Sequence, residues 1–168
     1  KYMIIPANAE AENYDICYNA GYLTISPAHL ILYPSNVTRE YGDSNPILKY
    51  EAIGLKGDDK LVSALIDEPV LSTTATLSSN VGEYIISISK ASSKNYKISY
   101  RQGVLTIVKA SLTVVAENAE RQYGESNPTF SRSYSGFKLD DTESSAFSSL
   151  PRLTCTATET SNVGEYPI

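Results

Sequence analysis

The phrase YGDSNP at residues 41–46 returns as YGESNP at residues 123–128, and the only change is from Asp43 to Glu125. A phrase that occurs twice is either a ligand site present in two copies or a turn of a structural module that the chain uses more than once. The surrounding sequence decides between these interpretations. When the chain is compared with itself at this offset of 82 residues, the copies align without a gap, so the phrase belongs to a repeat.

The similarity between the copies extends far beyond this phrase. Residues 28–86 and 110–168 share 27 identities in 59 positions, and residues 1–27 share 11 identities in 27 positions with residues 83–109. Solenoid repeats have periods of about 20 to 50 residues and cannot bury a core alone. A period of 82 residues is the size of a small domain. We therefore expect tandem domains rather than a continuous superhelix.

The repeat frame divides the chain into three segments. Residues 28–109 form one complete repeat, residues 110–168 form the N-terminal part of the next repeat, and residues 1–27 correspond to the C-terminal part of a repeat. In one interpretation, residues 1–27 belong to a preceding repeat. In the other, they complete residues 110–168, either by folding back or by strand exchange in a homo-oligomer.

Composition and charge exclude several classes of protein. The 168 residues are 42% hydrophobic and 20% charged, which is typical of a folded globular protein. The net charge is −5 and the chain has no basic run, so we expect no nucleic-acid partner. The longest apolar stretches, such as HLILY at residues 29–33, are far shorter than the roughly 20 residues of a membrane helix. We therefore expect no membrane insertion of this segment.

The local patterns predict strands almost everywhere. In YKISY, residues 96–100, apolar or aromatic side chains alternate with polar ones, and GVLTIV follows at residues 103–108 after a short connection that contains glycine. This arrangement is typical of a β-hairpin. One stretch differs, because Leu61 and Leu65 have helical spacing between the pair Asp58 and Asp59, a plausible cap, and Pro69, a plausible stop.

These patterns predict an all-β fold that is mainly antiparallel. The strand number and turn spacing favour tandem small Ig-like β-sandwich modules, each with one short helix or helical turn. The alternative is a β-grasp-like module, in which the helix packs on a mixed sheet.

The positions that the copies share are mostly turn residues. Gly42 and Gly124 indicate backbone positions that need a positive φ or a close approach, and the SNP sequence favours a turn that leads into a strand. The shared turn and repeat positions are Tyr41, Gly42, Asn45, Pro46, Gly82 and Tyr84 in one copy and Tyr123, Gly124, Asn127, Pro128, Gly164 and Tyr166 in the other.

These motifs resemble the MBG domain of the YGX type. The resemblance rests on YGD and NP in the quoted phrase, Gly54, NVGEY at residues 80–84, NY at residues 95–96 and GVLTI at residues 103–107, and it covers essentially the whole chain. It implies an extracytoplasmic repeat of bacterial secreted and cell-surface proteins, many of them adhesin-like, without catalytic residues to carry over. The chain has GEY where many members have GTY.

No combination of residues suggests catalysis. The single histidine, His29, corresponds to Ser111 in the second copy, and no metal-binding or nucleophile motif is present. The repeated aspartate pairs are explained by helix capping better than by calcium binding. We therefore predict that the chain is not an enzyme and binds no metal or cofactor.

The two cysteines do not belong to the plan of the repeat. Cys17 corresponds to Ser99 and Cys155 to Thr73, whereas a disulfide framework would recur with the module. We expect buried free thiols. A disulfide is conceivable only if the two terminal segments pack together.

The junctions between copies suggest a mechanical role. Only residues 109–111 separate two strand patterns, and the other junction contains Pro27. We therefore predict a semi-rigid stalk or spacer, located outside a bacterium or on its surface, whose partners are neighbouring repeats. The alternative is a module that binds a surface glycan or a host protein.

The tyrosines bear on that alternative. The chain has 13 tyrosines and no tryptophan, and aromatic rings are common platforms for sugars. Eight of them, however, alternate with polar residues on strand patterns or adjoin glycine turns, and these are Tyr14, Tyr18, Tyr41, Tyr84, Tyr96, Tyr100, Tyr123 and Tyr166. Such positions favour packing in the core or over turns.

Overall fold

The computed structural model describes residues 1–168, and most of its regular structure is β-strand. The elements in chain order are β1 (Tyr2–Ile4), β2 (Gly21–Leu23), β3 (Ala28–Pro34), β4 (Val37–Glu40), β5 (Tyr50–Ile53), α1 (Leu61–Ala64), β6 (Val70–Thr73), β7 (Gly82–Ser89), β8 (Tyr96–Tyr100), β9 (Gly103–Val108), β10 (Thr113–Ala116), β11 (Arg132–Ser135) and α2 (Glu143–Ala146). The predicted all-β fold with one short helix in each copy is confirmed.

The strands form four sheets. Two are two-stranded, β1–β2 and β10–β11, one has the order β5-β3-β8, and one has the order β4-β9-β7-β6. Strand β3 is antiparallel to β5 but parallel to β8, and β4 is parallel to β9. The fold is therefore antiparallel in much of its pairing, with two parallel pairs that join segments far apart in the sequence.

The chain forms two compact units whose boundaries do not follow the repeat frame. The first unit comprises Lys1–Ser35, Leu48–Thr73 and Ile85–Val104, and the second comprises Asn36–Ile47, Thr74–Tyr84 and Leu105–Ile168. The YGDSNP turn and the second copy consequently belong to the same unit. The division of the chain into segments 1–27, 28–109 and 110–168 stays a prediction from the sequence.

The core of the first unit combines residues from two sheets and the helix. Leu30 and Leu32 of β3 are fully buried, and they cluster with Ala64 of α1, Ile88 of β7 and Tyr96 of β8. Alternate residues of β3 point to opposite faces, which explains why Leu30 and Leu32 share the buried one. Two sheets that share one core fit the sandwich better than a single mixed sheet covered by a helix.

The hairpin predicted for residues 96–108 is wrong. Strand β8 pairs with β3, and β9 lies in the other sheet, beside β4 and β7. The Arg101 amide still donates to the Leu32 carbonyl oxygen at 2.9 Å, after which the chain crosses to the second sheet. Gly103 suits this crossing, since a side chain there would meet Pro34 at 2.9 Å.

The aspartate pairs do not cap the helices, and α1 ends well before Pro69. Helix α1 begins after Lys60, whose amide donates to the Ser63 hydroxyl at 3.3 Å, and it ends at Leu65, which is extended. Asp59 instead accepts a hydrogen bond from the Tyr96 hydroxyl at 2.6 Å. The tertiary contact with Tyr96 outweighs the local preference of aspartate for a cap.

Residues 1–27 keep part of the local structure of their counterpart in the complete repeat, although residues 14–18, which correspond to β8, form no strand. Strand β1 is antiparallel to β2, with Tyr2 opposite Leu23. The hydroxyl of Tyr18 accepts a hydrogen bond from the Ala9 amide at 2.8 Å, as the hydroxyl of Tyr100 does from the Ala91 amide at 2.9 Å. The completion of residues 110–168 by residues 1–27 stays a prediction.

Both cysteines are free, and Cys17 is exposed, so the prediction of a buried thiol is wrong for that residue; Cys155 is half-buried. The segment around Cys17 has no sheet packed over it, which leaves its side chains in solvent. A membrane-spanning helix is absent, because neither helix is long and apolar enough to cross a bilayer.

Candidate functional site

The YGDSNP turn is anchored by a buried arginine just before it. Arg39 is only 7% exposed, and its Nε donates to Asn45 Oδ1 at 2.8 Å while its Nη2 donates to the Thr76 carbonyl oxygen at 2.5 Å. The amide of Asn45 donates in turn to the Ala75 carbonyl oxygen at 2.7 Å. The guanidinium is paired with neutral oxygens instead of a carboxylate, and its five donors suit it to bridge several acceptors.

The same network occurs in the second copy. Arg121 donates to Asn127 Oδ1 at 2.8 Å and to the Thr158 carbonyl oxygen at 2.5 Å, and Asn127 donates to the Ala157 carbonyl oxygen at 2.8 Å. From the sequence, the asparagines were predicted only as turn residues, and the arginines were not predicted as functional positions. A usable signal was present, because arginine recurs two residues before each YGX motif.

The glycines and prolines of the two phrases define the turn itself. Gly42 and Gly124 have φ angles of 80° and 86°, a conformation that favours glycine. Pro46 is half-buried and Pro128 is exposed. The turn is therefore a repeated backbone feature, fixed on one side by glycine and on the other by the arginine network.

The NVGEY motifs form a second kind of turn. The hydroxyl of Tyr84 donates to the Asn80 carbonyl oxygen at 2.9 Å, and its ring lies beside Gly82. In the second copy, Tyr166 makes the equivalent hydrogen bond at 3.1 Å, and its ring lies beside Gly164. These tyrosines cover backbone that a glycine leaves bare.

The turn of the complete repeat contacts the following copy, within the second compact unit. Lys138 Nζ lies 2.9 Å from Asp43 Oδ1, and the Lys138 side chain packs so closely on Gly42 that a β-carbon there would clash with it. The carboxylate of Asp141 accepts a hydrogen bond from the Tyr41 hydroxyl, which raises the pKa of Tyr41. Asp43 likewise raises the pKa of Lys138. All three residues of the YGX motif therefore contact the neighbouring repeat.

The equivalent turn of the second copy is uncovered. No atom lies within 4 Å of the position that a β-carbon on Gly124 would take, and Tyr123 is 65% exposed. Glu125 only accepts a hydrogen bond from the Gln122 amide of its own turn, at 3.0 Å. The two turns thus share their backbone and their anchor and differ in what covers them.

The comparison with known families agrees with the repeat frame. Residues 30–106 and 112–168 each match the model of the MBG domain (YGX type). The chain belongs to this family. MBG domains are typically found in extracellular or surface proteins. Neither the curated proteins nor the solved structures contain a match to the chain.

The two MBG repeats differ in a cluster beside the short helix. In the complete repeat this cluster packs against the core and consists of Tyr50, Ala52, Leu55, Leu61 and Leu65. At the equivalent positions the second MBG repeat has Arg132, Tyr134, Phe137, Glu143 and Phe147. An apolar cluster in the complete repeat therefore corresponds to an ion pair among aromatic rings in the second MBG repeat.

That ion pair joins α2 to β11. Arg132 forms a salt bridge with Glu143, and the Tyr134 hydroxyl donates to the same carboxylate oxygen at 2.8 Å. The Tyr134 ring lies 5.5 Å from the ring of Phe137 and 5.3 Å from that of Phe147, centroid to centroid. Arg132 and then Tyr134 hold the pKa of Glu143 below its usual value, because both donate hydrogen bonds to the charged form.

The second MBG repeat also carries an open groove of about 950 Å³. Its lining includes residues 116–121, the counterpart of the segment that contains β4. In the complete repeat, β4 pairs with β9. The groove therefore lies beside the counterpart of β4, at the place where β9 pairs in the complete repeat.

Proposed function

We propose that these MBG repeats form a non-catalytic, semi-rigid stalk or spacer in a secreted or cell-surface adhesin-like protein of a bacterium. One observation carries the proposal: Lys138 of one repeat pairs with Asp43 and packs on Gly42 in the YGX turn of the repeat before it. A contact at this point restrains the junction in addition to the covalent connection. The family membership supports the extracellular location.

The connection between the repeats also supports a spacer. Strand β9 ends at Val108 and β10 begins at Thr113, so only residues 109–112 join them. This connection has no glycine and no serine-rich run, which are the features of flexible linkers. Short linkers limit the orientations that two domains can sample.

The proposal assigns no reaction to the chain. His29 is exposed and stands alone, and the recurring polar networks consist of an arginine, an asparagine and backbone carbonyl oxygens. Such groups hold segments of a protein together, and none of them is a nucleophile paired with a base.

A glycan-binding role receives less support from the tyrosines. Sugar platforms need exposed rings with free edges, whereas the hydroxyls of Tyr84, Tyr96 and Tyr100 are hydrogen-bonded within the fold. We expect a glycan array probed with the full chain to be negative. Saturable binding of one glycan class, reduced by Tyr123→Ala, would instead favour the binding role.

Strand exchange between two molecules is a second proposal about assembly. The groove of the second MBG repeat would accept the β2 region of a partner copy, since β2 corresponds to the start of β9. Sedimentation under reducing conditions tests this directly. A dimer that dissociates when Leu23 is changed to Asp supports exchange, and a monomer at every concentration refutes it.

The spacer proposal is tested by the distance distribution between two spin labels. Labels at Ser78→Cys and Thr160→Cys, in a background with Cys17→Ser and Cys155→Ser, report on equivalent exposed positions of the two repeats. We expect a narrow distribution that broadens in Asp43→Lys and narrows again in Asp43→Lys combined with Lys138→Asp. Glu125→Lys makes a similar charge change at the uncovered turn and should leave the distribution unchanged. A broad distribution in the unsubstituted protein would overturn the proposal.

A further inference from the structure

We propose that the uncovered turn at residues 123–125 is a docking site for the lysine-bearing loop of another MBG repeat, and that residues 54–59 of a second copy of this chain fit it. The inference rests on the proposed spacer function for its biological purpose. The contact itself can form, and can be measured, whether or not the repeats act as a spacer.

The covered turn identifies the chemistry of the occupant. At residues 41–43, the acidic side chain receives a lysine ammonium at 2.9 Å, the glycine receives the lysine stem, and the tyrosine hydroxyl meets an aspartate. A loop with lysine followed three residues later by aspartate satisfies all three positions at once. Here that loop is formed by residues 136–141, with the sequence GFKLDD.

The uncovered turn offers the same three positions in the same backbone. Gly124 has a φ of 86°, against 80° for Gly42. The turn is anchored by Arg121 and Asn127 with the same hydrogen bonds as its counterpart. Glu125 keeps the negative charge, and the bare surface over Gly124 leaves room for a lysine stem.

The chain itself contains the complementary loop. Residues 54–59 have the sequence GLKGDD, and Lys56 is exposed and takes part in no ion pair. The residue after this lysine, Gly57, has a φ of 57°, and its counterpart Leu139 has a φ of 55°, so both loops bend in the same way. Asp59 already accepts one hydrogen bond from Tyr96, and a carboxylate can accept further ones.

The geometry also explains why the contact suits tandem repeats better than free molecules. One exposed ion pair with a small packed stem gives weak association between separate chains. A short linker raises the effective concentration of the next repeat to about the millimolar range, where a weak contact becomes populated. Between separate copies, the contact therefore has to be trapped chemically.

Zero-length carbodiimide cross-linking provides this trap, because it joins a carboxylate to an amine only when the two are in contact. Equimolar full-length chains with natural nitrogen and with ¹⁵N are mixed at about 1 mM under reducing conditions, cross-linked and analysed by mass spectrometry. We expect a Lys138–Asp43 product within each chain and a Lys56–Glu125 product that joins chains of different isotope content. The first product reports on the contact within the chain, and the second reports on the contact between chains.

Substitutions test whether the intermolecular cross-link depends on Lys56 and Glu125. Glu125→Gln removes the reactive carboxylate and should abolish the intermolecular product, whereas Glu165→Gln, at an exposed acid on a different turn, should not. Lys56→Glu and Glu125→Lys should each abolish the intermolecular product when used alone. An equimolar mixture of the two variants should form a cross-link between the new glutamate at position 56 of one chain and the new lysine at position 125 of the other.

The cross-linking results distinguish failure of the docking site from failure of the spacer function. Loss of the Lys56–Glu125 product while Lys138–Asp43 forms would overturn the docking site and leave the spacer function intact. Loss of both products would overturn both proposals. Cross-links from Lys56 to many carboxylates at similar yield would also overturn the docking site.

Discussion

At the scale of single residues, the arginine before each YGX motif anchors the turn. Arg39 is the only buried charged side chain of the protein, and its hydrogen bonds to Asn45 and Thr76 satisfy two acceptors beneath the turn. A buried acceptor that loses its donor costs more free energy than the hydrogen bond itself contributes.

We therefore expect Arg39→Met to lower the free energy of unfolding by about 2 to 4 kcal/mol, because it leaves these acceptors unpaired. Arg121→Met is the matched control. Arg121 is half-buried, so water can replace the lost donors and the loss should be less than half as large. Urea denaturation followed by circular dichroism gives both values. Equal losses would show that burial does not determine the role of the arginine.

Leu139 occupies a backbone conformation that suits glycine. Its φ of 55° lies in the left-handed region, and the equivalent residue of the complete repeat is Gly57, with a φ of 57°. We expect Leu139→Gly to raise the free energy of unfolding by about 1 kcal/mol, because the steric cost of the β-carbon is removed. Gly57→Leu should lower it by a similar amount. Thermal unfolding measures both changes in free energy. A lower free energy of unfolding for Leu139→Gly would mean that contacts of the leucine side chain stabilise the fold by more than the strained backbone costs.

At the scale of secondary-structure elements, α2 and β11 are joined by charge where α1 and β5 are joined by apolar contact. Arg132 favours the ionised form of Glu143, so the folded pKa of this carboxyl lies below its ordinary value of 4.5. The stabilisation is fully present above pH 4.5 and is lost as the pH falls through the folded pKa.

We therefore expect the free energy of unfolding to fall with pH below about 4.5, and Glu143→Gln to flatten this part of the profile. Glu12→Gln, at an exposed acid, serves as the control and should leave the profile unchanged. Denaturant titrations at several acidic pH values provide the measurement. A Glu143→Gln profile that follows the original would contradict a role for the Arg132 pair in acid stability.

At the scale of elements, the sequence predicts where the strands lie but not which strands pair with each other. Alternation along β8 identified that strand, and the identities between copies located the YGX and NVG turns. The pairing of the strands could not be predicted. Residues 96–100 pair in parallel with Ala28–Leu32, which lie far away along the chain, and no local pattern encodes that choice. The short Gly103 connection therefore looked like a hairpin.

The site shows the same limit. Gly42 and Gly124 were recognisable from their repetition, since glycine in a fixed phrase indicates a special backbone conformation. The residue that contacts the turn was not recognisable from the sequence, because Lys138 lies 95 residues from Asp43 and reaches it only in the folded chain. Asp59 was likewise assigned to a helix cap, and only the packing of Tyr96 shows its actual partner.

At the scale of the whole molecule, the two YGX turns form a natural pair for measuring what the contact between repeats contributes. An alanine at either glycine has to adopt a positive φ, which costs about 1 kcal/mol. Only Gly42→Ala also displaces the Lys138 side chain.

We therefore expect Gly124→Ala to lower stability by about 1 kcal/mol without changing the distance between labels at residues 78 and 160. Gly42→Ala should lower it further and broaden the distance distribution, as Asp43→Lys does. Both variants are compared by urea denaturation and by spin-label distances. Identical behaviour of the two variants would show that Lys138 adjusts to the alanine, so that the turn does not depend on its glycine for docking.

The replaced cluster beside the short helix bears on how such a protein is synthesised. Adjacent copies of similar sequence risk exchanging segments while the chain folds, and this misassembly is characteristic of repeat proteins. If β11 took the place of β5, Arg132 would face Leu61 without its glutamate, and a charge removed from water without a partner is strongly unfavourable. We therefore expect the divergence between otherwise similar neighbours to disfavour exchange, so that each helix pairs preferentially with the strand from its own copy.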